Sequence, residues 1–454
     1  AQVLINKVKS KCCGIKDKLK RYAESGIKNY THSVDLWMKN SGLIIDCDEK
    51  KNALRNLFKN SKVAFIYGAA GTGKSTMINY ISSLFKDKQK IFLANTNPAV
   101  ENLRRKVTAE HAEFVTITKF LSKDVSNDCD ILCLDECSTI SNRDMVRVLQ
   151  RAQCKLLVLV GDIYQIESIL FGNWFNIAYK VMPKDSVAEL TRPHRTTVQG
   201  LIEVWNKVRE ITEDRLEFIT RNGLSSTLDE SIFSRTEEDE IVLCLNYDGI
   251  YGINNINKFL QSNNVNPSIN WGVLSYKVGD PVLFNESNRF APLVYNNLKG
   301  KILQIEEEEE CIYFTIEVYT VLNELDVIGF DLELKESVTD ETSVIRFKVG
   351  RGGDGNDDND NVENVVPFQV AYAISIHKAQ GLEYESVKVV ITSEIEEMVS
   401  HNIFYTAITR AKSKLKIYWS PETEKRILEN MKVQFNDKDY QLFKAKYKEA
   451  LLKS

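Results

Sequence analysis

The segment Gly68–Ser75 contains the residues whose types and spacing point most directly to chemistry. It matches the pattern G-x-x-x-x-G-K-[ST] and lies between the apolar run VAFIY and the helix-like STMINYISSLF. Glycines in such a P-loop let the backbone wrap around phosphates, with its N–H groups at a helix N-terminus. Lys74 should then reach the β- and γ-phosphates, and the Ser75 hydroxyl should bind Mg²⁺. The sequence therefore predicts a nucleotide site with phosphate contacts from Gly68, Gly71, Thr72, Gly73, Lys74 and Ser75.

Two acidic residues end another apolar run, Ile131-Leu-Cys-Leu-Asp135-Glu136. Asp135 would hold Mg²⁺, and Glu136 could polarise the water that attacks the γ-phosphate. Two solvated acids at a strand end are the alternative, but the pair lies 60 residues after Ser75 of the P-loop, which hydrolytic machinery explains better. A kinase that transfers phosphate to a small molecule would not need Glu136 beside Asp135. A further run ends in Gly161-Asp-Ile-Tyr-Gln165, where Gln165 could sense the γ-phosphate or orient the water.

Cysteine and histidine residues give a weaker indication of chemistry. None of the nine Cys residues forms a C-x-x-C pair, and the five His residues are scattered. Cys129, Cys133 and Cys137 are evenly spaced, but the alternating apolar residues of CDILCLDEC predict a buried strand rather than a metal site. This cysteine usage predicts a reduced, cytoplasmic protein.

Short β-rich runs alternate with helix-like stretches between residues 44 and 190. The predicted strands are continuously apolar, which suits a parallel sheet buried on both faces: VAFIY, KIFLANT, EFVTI, DILCLDE and KLLVLVGD. A second series includes EIVLCLNYD and resumes at VAYAISIHKAQG, SVKVVIT and KLKIYWS. The β-rich segments between them predict a small barrel inserted into the second series. The predicted fold class is therefore α/β, with two parallel-sheet domains, an inserted β-barrel and a helical N-terminal extension.

These patterns predict six segments. They are a helical extension at 1–43, a first α/β domain at 44–190, a second at 191–265 and 364–420, the barrel at 266–350, an acidic flexible loop at 351–363, and a C-terminal helical tail at 421–454. We interpret the N-terminal extension as packing helices rather than a nucleic-acid-binding arm. The acidic loop contains a D-x-N-x-D fragment but lacks the Gly and Glu of a calcium loop.

The bulk composition leaves the partner of the chain open. The 454 residues are 43% hydrophobic and 27% charged, as in an ordinary globular protein. The net charge of −4 argues against a nucleic-acid partner, although residues 1–43 carry nine Lys or Arg against three acidic residues. No apolar run reaches the length of about 18 residues that crosses a bilayer. The chain starts without Met or a signal-peptide pattern, which predicts an upstream domain or partner protein outside this chain.

The order of these motifs resembles that of superfamily 1 helicases, in the branch that includes the RecD, Pif and Dda helicases. The three motifs described above are followed by Leu190-Thr-Arg-Pro-His-Arg195, Ile376-His-Lys-Ala-Gln-Gly-Leu-Glu383 and Tyr405-Thr-Ala-Ile-Thr-Arg-Ala411. The last two are specific, because a generic P-loop protein has neither. The resemblance covers residues 44–420 and implies two RecA-like domains with an SH3-like inserted barrel.

The resemblance implies an ATP- and Mg²⁺-dependent helicase or translocase that moves 5′ to 3′ on single-stranded nucleic acid, with DNA favoured over RNA. The implied catalytic residues are Lys74, Asp135, Glu136, Gln165 and two arginine fingers, Arg195 and Arg410. Thr76, Gly381 and Glu383 are implied as further nucleotide contacts, and Ser75 and Asp135 as Mg²⁺ ligands. The implied nucleic-acid contacts are Thr96, Asn97, Thr118, Ser375 and His377, although Thr96, Asn97 and Ser375 could instead cap helices.

Two departures from the family pattern keep an alternative open. Lys50 stands where relatives have a Gln that reads adenine, which leaves the base selectivity undecided. Only 13 residues separate Leu121 from Asp135. The insertion that in relatives forms a pin separating the two nucleic-acid strands is therefore nearly absent. The alternative is a nucleotide-gated regulatory or recruitment module of a larger protein, with little unwinding activity.

Overall fold

The computed structural model describes most of the chain. The described residues are 14–69, 71–122, 126–165, 174–178, 180, 182–192, 196–285, 289–291, 293–337, 339–351 and 364–431. They form two compact units. The first unit comprises residues 14–212, 400–409 and 431 of the described chain, and the second comprises residues 213–399 and 410–430.

The first unit is built on a six-stranded parallel sheet. Its strands in chain order are β1 (Val63–Gly68), β2 (Lys90–Ala94), β3 (Ala112–Thr116), β4 (Asp128–Leu134), β5 (Gln153–Gly161) and β6 (Val187–Leu190). They lie in the spatial order β3-β2-β4-β5-β1-β6, and every neighbouring pair is parallel. The first strand therefore lies between β5 and β6, inside the sheet.

Both faces of this sheet are buried, because alternate residues of each strand enter different cores. In β1, Val63 and Phe65 belong to one core and Ala64 and Ile66 to the other. Successive side chains of a strand point to opposite faces, so continuous apolar sequence is needed to bury both faces. Cys129 and Cys133 of β4, and Cys137 just after it, are buried in these cores, as the CDILCLDEC pattern predicts.

Helices cover the first sheet. They are α1 (residues 14–23), α2 (Tyr30–Asn40), α3 (Asp48–Asn56), α4 (Lys74–Leu84), α5 (Asn97–Lys106), α6 (Ile117–Leu121), α7 (Asn142–Arg151), α8 (Trp174–Ala178), α9 (Gln199–Glu210) and α12 (His401–Ile408). Ile15 and Leu19 of α1 lie fully inside one core, so this helix of the N-terminal extension packs against the first unit. None of the described helices is long and apolar enough to cross a membrane.

The second unit contains a five-stranded parallel sheet. Its strands are β7 (Ser225–Ser226), β8 (Glu240–Cys244), β17 (Ala373–Ser375), β18 (Tyr384–Val390) and β19 (Ala411–Tyr418), in the spatial order β17-β8-β18-β19-β7. Its helices are α10 (Arg215–Arg221), α11 (Ile253–Ser262) and α13 (Pro421–Asn430). A small core of Val242, Cys244, Ile256 and Leu260 packs α11 against this sheet.

An antiparallel β-domain is inserted into the second unit. A hairpin of β9 (Ser268–Trp271) and β10 (Leu274–Lys277) precedes β11 (Pro281–Phe284), β12 (Lys299–Glu307), β13 (Cys311–Val318), β14 (Glu333–Lys335), β15 (Ser343–Gly350) and β16 (Phe368–Val370). The last six form one sheet in the order β14-β15-β13-β12-β11-β16. Strict alternation in β13 buries Ile312, Phe314, Ile316 and Val318 in the core of this domain.

These observations confirm the predicted fold class of two parallel-sheet α/β units with a small inserted barrel-like β-domain. Details differ from the sequence pattern. The first unit extends to Thr212 and includes α12, whereas the pattern placed a division at residues 190/191. Phe368–Val370 pairs with β11 and so extends the inserted sheet. The short strands β6 and β7 were not predicted. The acidic residues 354–360 lie outside the described residues.

Candidate active site

The candidate residues of the first unit follow the carboxyl ends of its parallel strands. The P-loop follows β1, Asp135 and Glu136 follow β4, Gln165 follows β5, and Thr96 follows β2. Because all strands of this sheet are parallel, their carboxyl ends lie along one edge. Ligands of open α/β sheets bind at this edge.

Two glycines of the P-loop have left-handed backbone conformations. Gly71 and Gly73 have φ angles of 76° and 84°, in the left-handed region that glycine enters at little cost. A side chain at Gly68 would come within 2.4 Å of the Leu190 carbonyl oxygen in the neighbouring strand β6. Lys74 lies at the first turn of α4, and its Nζ donates hydrogen bonds to the carbonyl oxygens of Gly68 (2.8 Å) and Ala69 (2.9 Å).

Two carbonyl oxygens of the P-loop therefore hold the Lys74 ammonium group against the loop. Thr72 is buried, and its hydroxyl donates to the Ala69 carbonyl oxygen at 2.9 Å, which closes the turn beneath it. Ser75 and Thr76 follow on the first turn of α4 and are half-buried. This arrangement presents backbone N–H groups, one ammonium group and two hydroxyls at a helix N-terminus, which suits a polyphosphate.

The acidic pair occupies a constrained turn after β4. Glu136 has a φ angle of 50°, which is unusual for a residue other than glycine and costs about 1–3 kcal/mol. Its N–H donates to Asp135 Oδ1 at 2.8 Å, and its carbonyl oxygen accepts bonds from the N–H and hydroxyl of Thr139. These bonds fix the backbone on both sides of Glu136. Strain of this kind is found at functional sites, where the surrounding structure maintains it.

Burial raises the pKa of the Asp135 carboxyl, and the Glu136 N–H and the charges of Lys74 and Lys106 act in the opposite direction. A hydroxyl from Ser75 and a carboxylate from Asp135 are oxygen ligands of the kind that Mg²⁺ prefers, with nucleotide phosphates and water as the remaining ligands. In the described part of the chain, no cluster of three or more His, Cys, Asp or Glu residues offers another metal site.

Lys50 lies beneath the P-loop in the first turn of α3. Its side chain is only 1% exposed, and its Nζ forms an ion pair with Asp46 at 2.5 Å. A side chain at Gly73 would come within 2.6 Å of this Nζ, so Lys50 packs directly against the loop. Its neighbour Glu49 accepts hydrogen bonds from the N–H and hydroxyl of Thr191, at 3.0 and 2.8 Å. Helix α3 thereby connects the P-loop with the segment that follows β6.

We predict weak discrimination between ATP and GTP from the position of Lys50. A lysine has hydrogen-bond donors but no acceptor, so it cannot accept from the adenine amino group as a Gln amide can. The kcat/KM for GTP should lie within about tenfold of that for ATP, since sites built to bond one base edge reject others by far larger factors. Steady-state hydrolysis of the four nucleoside triphosphates measures this. A preference for ATP above about 100-fold would show that another residue reads adenine.

The loop of Gln165 adjoins helix α12. The Nδ2 of Asn402 donates to the Gln165 carbonyl oxygen at 3.0 Å, and the Tyr164 ring contacts the rings of His401 and Tyr405. Helix α12 is itself attached to α9, because His401 Nε2 donates to the Val208 carbonyl oxygen at 2.8 Å. The sequence motif around Tyr405 thus supports the Gln165 loop within the first unit, a role that its sequence did not indicate.

Arg410, Gly381 and Glu383 belong to the second unit. Arg410 is 2% exposed and follows α12 directly. Its Nη1 donates to the Leu382 carbonyl oxygen at 3.2 Å, and its own carbonyl oxygen accepts from the Tyr384 N–H at 3.0 Å. Gly381 has a φ angle of 81°, which turns the chain into this segment. The structure therefore brings Arg410 together with Gly381–Glu383. Arg195 lies outside the described residues.

The candidate nucleic-acid residues divide into two groups. Thr96 caps α5 by accepting from the Ala99 N–H. The buried Ser375 accepts from the Lys378 N–H at 3.2 Å, which orders the turn after β17 but caps no helix. Asn97, Thr118 and His377 are exposed. Sequence reasoning missed one connection: Asn95 Nδ2 donates to the Thr139 carbonyl oxygen at 3.3 Å, which links the loop after β2 to the acidic turn.

Comparisons with known proteins cover both units. The family model described as an AAA domain matches residues 47–229, and the model of the UvrD-like helicase C-terminal domain matches residues 370–418. The chain is 24% identical to the uncharacterized protein MJ1519 of Methanocaldococcus jannaschii over 81% of this chain, which spans only 37% of that protein.

Two further relatives carry descriptive names. The chain is 23% identical to the RecBCD enzyme subunit RecD of Buchnera aphidicola subsp. Schizaphis graminum, over 85% of this chain and 78% of the relative. It is 24% identical to the ATP-dependent DNA helicase Pif1 of Campylobacter jejuni, over 78% of this chain and 88% of the relative.

Solved structures share the fold. The Pif1 helicase from Candida albicans superposes with a TM-score of 0.54 at 18% identity, over 89% of this chain and 100% of that chain. The Bacteroides Pif1 bound to ssDNA gives a TM-score of 0.52 at 15% identity, over 89% and 98%. The two family models, these relatives and the order of the motifs show that the chain is similar to ATP-hydrolysing superfamily 1 helicases of the RecD- and Pif-like branch. The solved structures show that it shares their fold.

Proposed function

We propose that the chain uses ATP hydrolysis to move 5′ to 3′ along single-stranded nucleic acid, with DNA favoured over RNA, and to unwind duplexes in its path. The observation that carries this proposal is the arrangement at the carboxyl edge of the first sheet. There the P-loop, the acidic turn, the Gln165 loop and the loop after β2 follow adjacent parallel strands. The hydrolytic groups and the candidate nucleic-acid contacts of the first unit thus lie at the same edge of the β-sheet.

The hydrolytic step is divided between the P-loop and the acidic turn. The backbone N–H groups of Gly71 and Gly73 and the Lys74 ammonium hold the phosphates, while Ser75 and Asp135 hold Mg²⁺. Mg²⁺ would neutralise charge on the β- and γ-phosphate oxygens. Glu136, which the turn holds at a φ angle of 50°, accepts a proton from the attacking water.

The remaining nucleotide contacts are proposed from the family resemblance. Gln165 orients the attacking water, and Thr76, Gly381 and Glu383 contact the nucleotide. Arg195 and Arg410 stabilise the charge that develops on the γ-phosphate in the transition state. The hydrogen bond from Arg410 to the Leu382 carbonyl oxygen supports a constrained guanidinium group, which is what such a role requires.

The strand contacts are proposed to be phosphate contacts. Asn97 and Thr118 from the first unit and His377 from the second offer exposed polar side chains, while Thr96 and Ser375 order the loops that present them. The Bacteroides Pif1 structure, which shares this fold, is bound to ssDNA. The hydrogen bond between Asn95 and Thr139 provides a direct connection between the strand-binding loop and the acidic turn. The 5′-to-3′ direction rests on the resemblance to RecD and Pif helicases.

We predict that single-stranded DNA stimulates the ATPase with little dependence on base sequence. Phosphate contacts carry no sequence information, and aromatic stacking tolerates every base. Because few of the proposed contacts are cationic, few counterions should be released, so the dependence of affinity on salt should be shallow. The measurement is a titration of ATPase activity with homopolymer and mixed strands of DNA and RNA at several salt concentrations.

The same titration, combined with unwinding of 5′- and 3′-tailed duplexes, separates the two candidate functions. A helicase hydrolyses ATP in response to strands and opens the 5′-tailed duplex. A nucleotide-gated recruitment module, which the short segment between α6 and β4 favours, binds strands without opening either duplex. Absence of stimulation by any strand would refute the translocase. A strong preference for one short sequence would reveal an unrecognised base-reading element.

A further inference from the structure

Lys299 is the first residue of the long strand β12 in the inserted β-domain. Its side chain contacts residues that adjoin the parallel sheet of the second unit. Its side chain is 19% exposed, and its Nζ forms an ion pair with Asp239 Oδ1 at 2.6 Å. The same Nζ lies 4.1 Å from the centroid of the Tyr384 ring and 5.2 Å from that of Tyr319. Burial lowers the pKa of Lys299, and the charge of Asp239 opposes this shift. A lysine enclosed in this way has little freedom to change partners.

The partners of Lys299 belong to the segment that supports Arg410. Lys299 Nζ also donates to the carbonyl oxygen of Glu383 at 3.3 Å, and Asp239 Oδ2 accepts from the N–H of Glu385 at 3.1 Å. In turn, Arg410 donates to the Leu382 carbonyl oxygen and accepts from the Tyr384 N–H. Glu383, which Lys299 contacts, is therefore the immediate neighbour of both residues that Arg410 contacts.

A second bridge joins the β-domain to the motif that contains His377. Lys378 Nζ donates to Gln369 Oε1 at 3.0 Å in β16 and to Asn285 Oδ1 at 3.2 Å just after β11. The β-domain thus contacts both ends of the segment between β17 and β18. One end carries the proposed strand contact His377, and the other supports Arg410. These hydrogen bonds form a continuous physical connection from the His377 motif through the β-domain to the segment that contacts Arg410.

We propose that Lys299 is a positioning residue that holds Arg410 in its working orientation through Asp239 and the segment Leu382–Tyr384, and so couples the inserted β-domain to the rate of ATP hydrolysis. This inference rests on the proposed function, because it assumes that Arg410 acts on the γ-phosphate and that single-stranded DNA stimulates ATP hydrolysis. Lys299 itself touches neither nucleotide nor strand. Its loss should therefore affect the rate of the chemical step and leave ligand binding intact.

Lys301 provides a matched control two residues along the same strand. Its side chain lies on the same face of β12 and forms an ion pair with Glu238, but it is 34% exposed. Both lysines thus connect the β-domain to the residues preceding β8. Only Lys299 has a described hydrogen bond to the segment Leu382–Tyr384. Comparing Lys299→Met with Lys301→Met removes one ammonium group from the same surface in each case.

The experiment measures ATP hydrolysis by the full chain against ATP concentration, with and without saturating oligo(dT), and oligo(dT) affinity by fluorescence anisotropy. For Lys299→Met we expect the stimulated kcat to fall by about tenfold or more, while KM for ATP and Kd for oligo(dT) change less than about threefold. Lys301→Met should keep the stimulated kcat within about threefold of the wild type. Asp239→Asn should reproduce the kcat loss, and combining it with Lys299→Met should add little, because the two residues act as one unit.

The possible outcomes distinguish failure of the proposed function from failure of the coupling role of Lys299. A wild-type chain whose ATPase ignores oligo(dT) would overturn the proposed function and this inference with it. A responsive wild type with a Lys299→Met variant of unchanged stimulated kcat would overturn the coupling role alone. An equal loss in Lys301→Met, or a loss of oligo(dT) affinity that matches the loss of kcat, would also overturn it. If Lys299→Met unfolds, as thermal denaturation would reveal, the comparison of kcat with KM in Asp239→Asn tests the coupling role in its place.

Discussion

Replacing Glu136 by Gln is expected to leave ATP binding intact and to lower steady-state ATP hydrolysis by about 10²–10⁴-fold, the usual contribution of a positioned general base. The substitution keeps the size of the side chain and removes only its ability to accept a proton from water. The Thr139 N–H and hydroxyl donate to the Glu136 carbonyl oxygen, and the substitution removes neither of these bonds.

Lys74→Ala should fail in a different way. The Lys74 ammonium is held over the P-loop by the carbonyl oxygens of Gly68 and Ala69, where it would meet the phosphates. Its removal should therefore weaken nucleotide binding or abolish turnover, whereas Glu136→Gln should retain binding. Equilibrium binding of a fluorescent ATP analogue, measured alongside hydrolysis, distinguishes the two.

The exposed Glu113 of β3 serves as the control, since Glu113→Gln makes the same chemical change in the same unit, away from the P-loop and the acidic turn. It should hydrolyse ATP at the wild-type rate. A Glu136→Gln rate within about threefold of wild type would contradict the assignment of Glu136 as the base. Tight binding and full turnover in Lys74→Ala would contradict the phosphate site itself.

Arg410→Ala is expected to cut strand-stimulated ATP turnover by about 10³-fold or more, as the removal of arginine fingers does elsewhere. Its affinity for ATP should change by no more than about tenfold, because the charge that Arg410 stabilises develops only in the transition state. The measurement is the stimulated kcat together with the binding of an ATP analogue.

Burial of Arg410 makes a stability control necessary. The side chain donates to the Leu382 carbonyl oxygen, so its truncation leaves a buried acceptor without that bond. Arg410→Lys retains a positive charge and a donor but lacks the planar fork, and should lose most of the turnover while retaining more of the stability. Thermal unfolding of both variants separates the effects. Unchanged stimulated turnover in Arg410→Ala would make Arg410 a purely structural residue.

The sequence alone predicted the groups whose chemistry depends on local spacing. The P-loop and the Asp135–Glu136 pair each lie at the end of an apolar strand, and the order of the motifs indicated the family. These signals are local, because a strand, a turn and a helix are encoded by neighbouring residues. Continuous apolar runs likewise predicted sheets buried on both faces, as the two cores on either side of β1 confirm.

Local capping could not be decided from the motifs. Thr96 and Ser375 were predicted to contact nucleic acid or to cap helices, and the two alternatives have the same residue types and positions. Only the backbone geometry shows that both accept bonds from the N–H group three residues ahead. The roles of Asn97, Thr118 and His377 remain predictions, since exposure is compatible with several partners.

The tertiary structure decided every connection between distant parts of the chain. Lys299 binds Asp239, 60 residues away, and Glu383, 84 residues away, and nothing near Lys299 in the sequence distinguishes it from Lys301. Likewise, the contact between Asn402 and Gln165 spans 237 residues. Such pairings depend on how strands and helices pack against one another, which local periodicity does not specify. The sequence by itself therefore predicted which groups act on a nucleotide, and only the packing of the inserted β-domain and α12 decided which residues contact those groups.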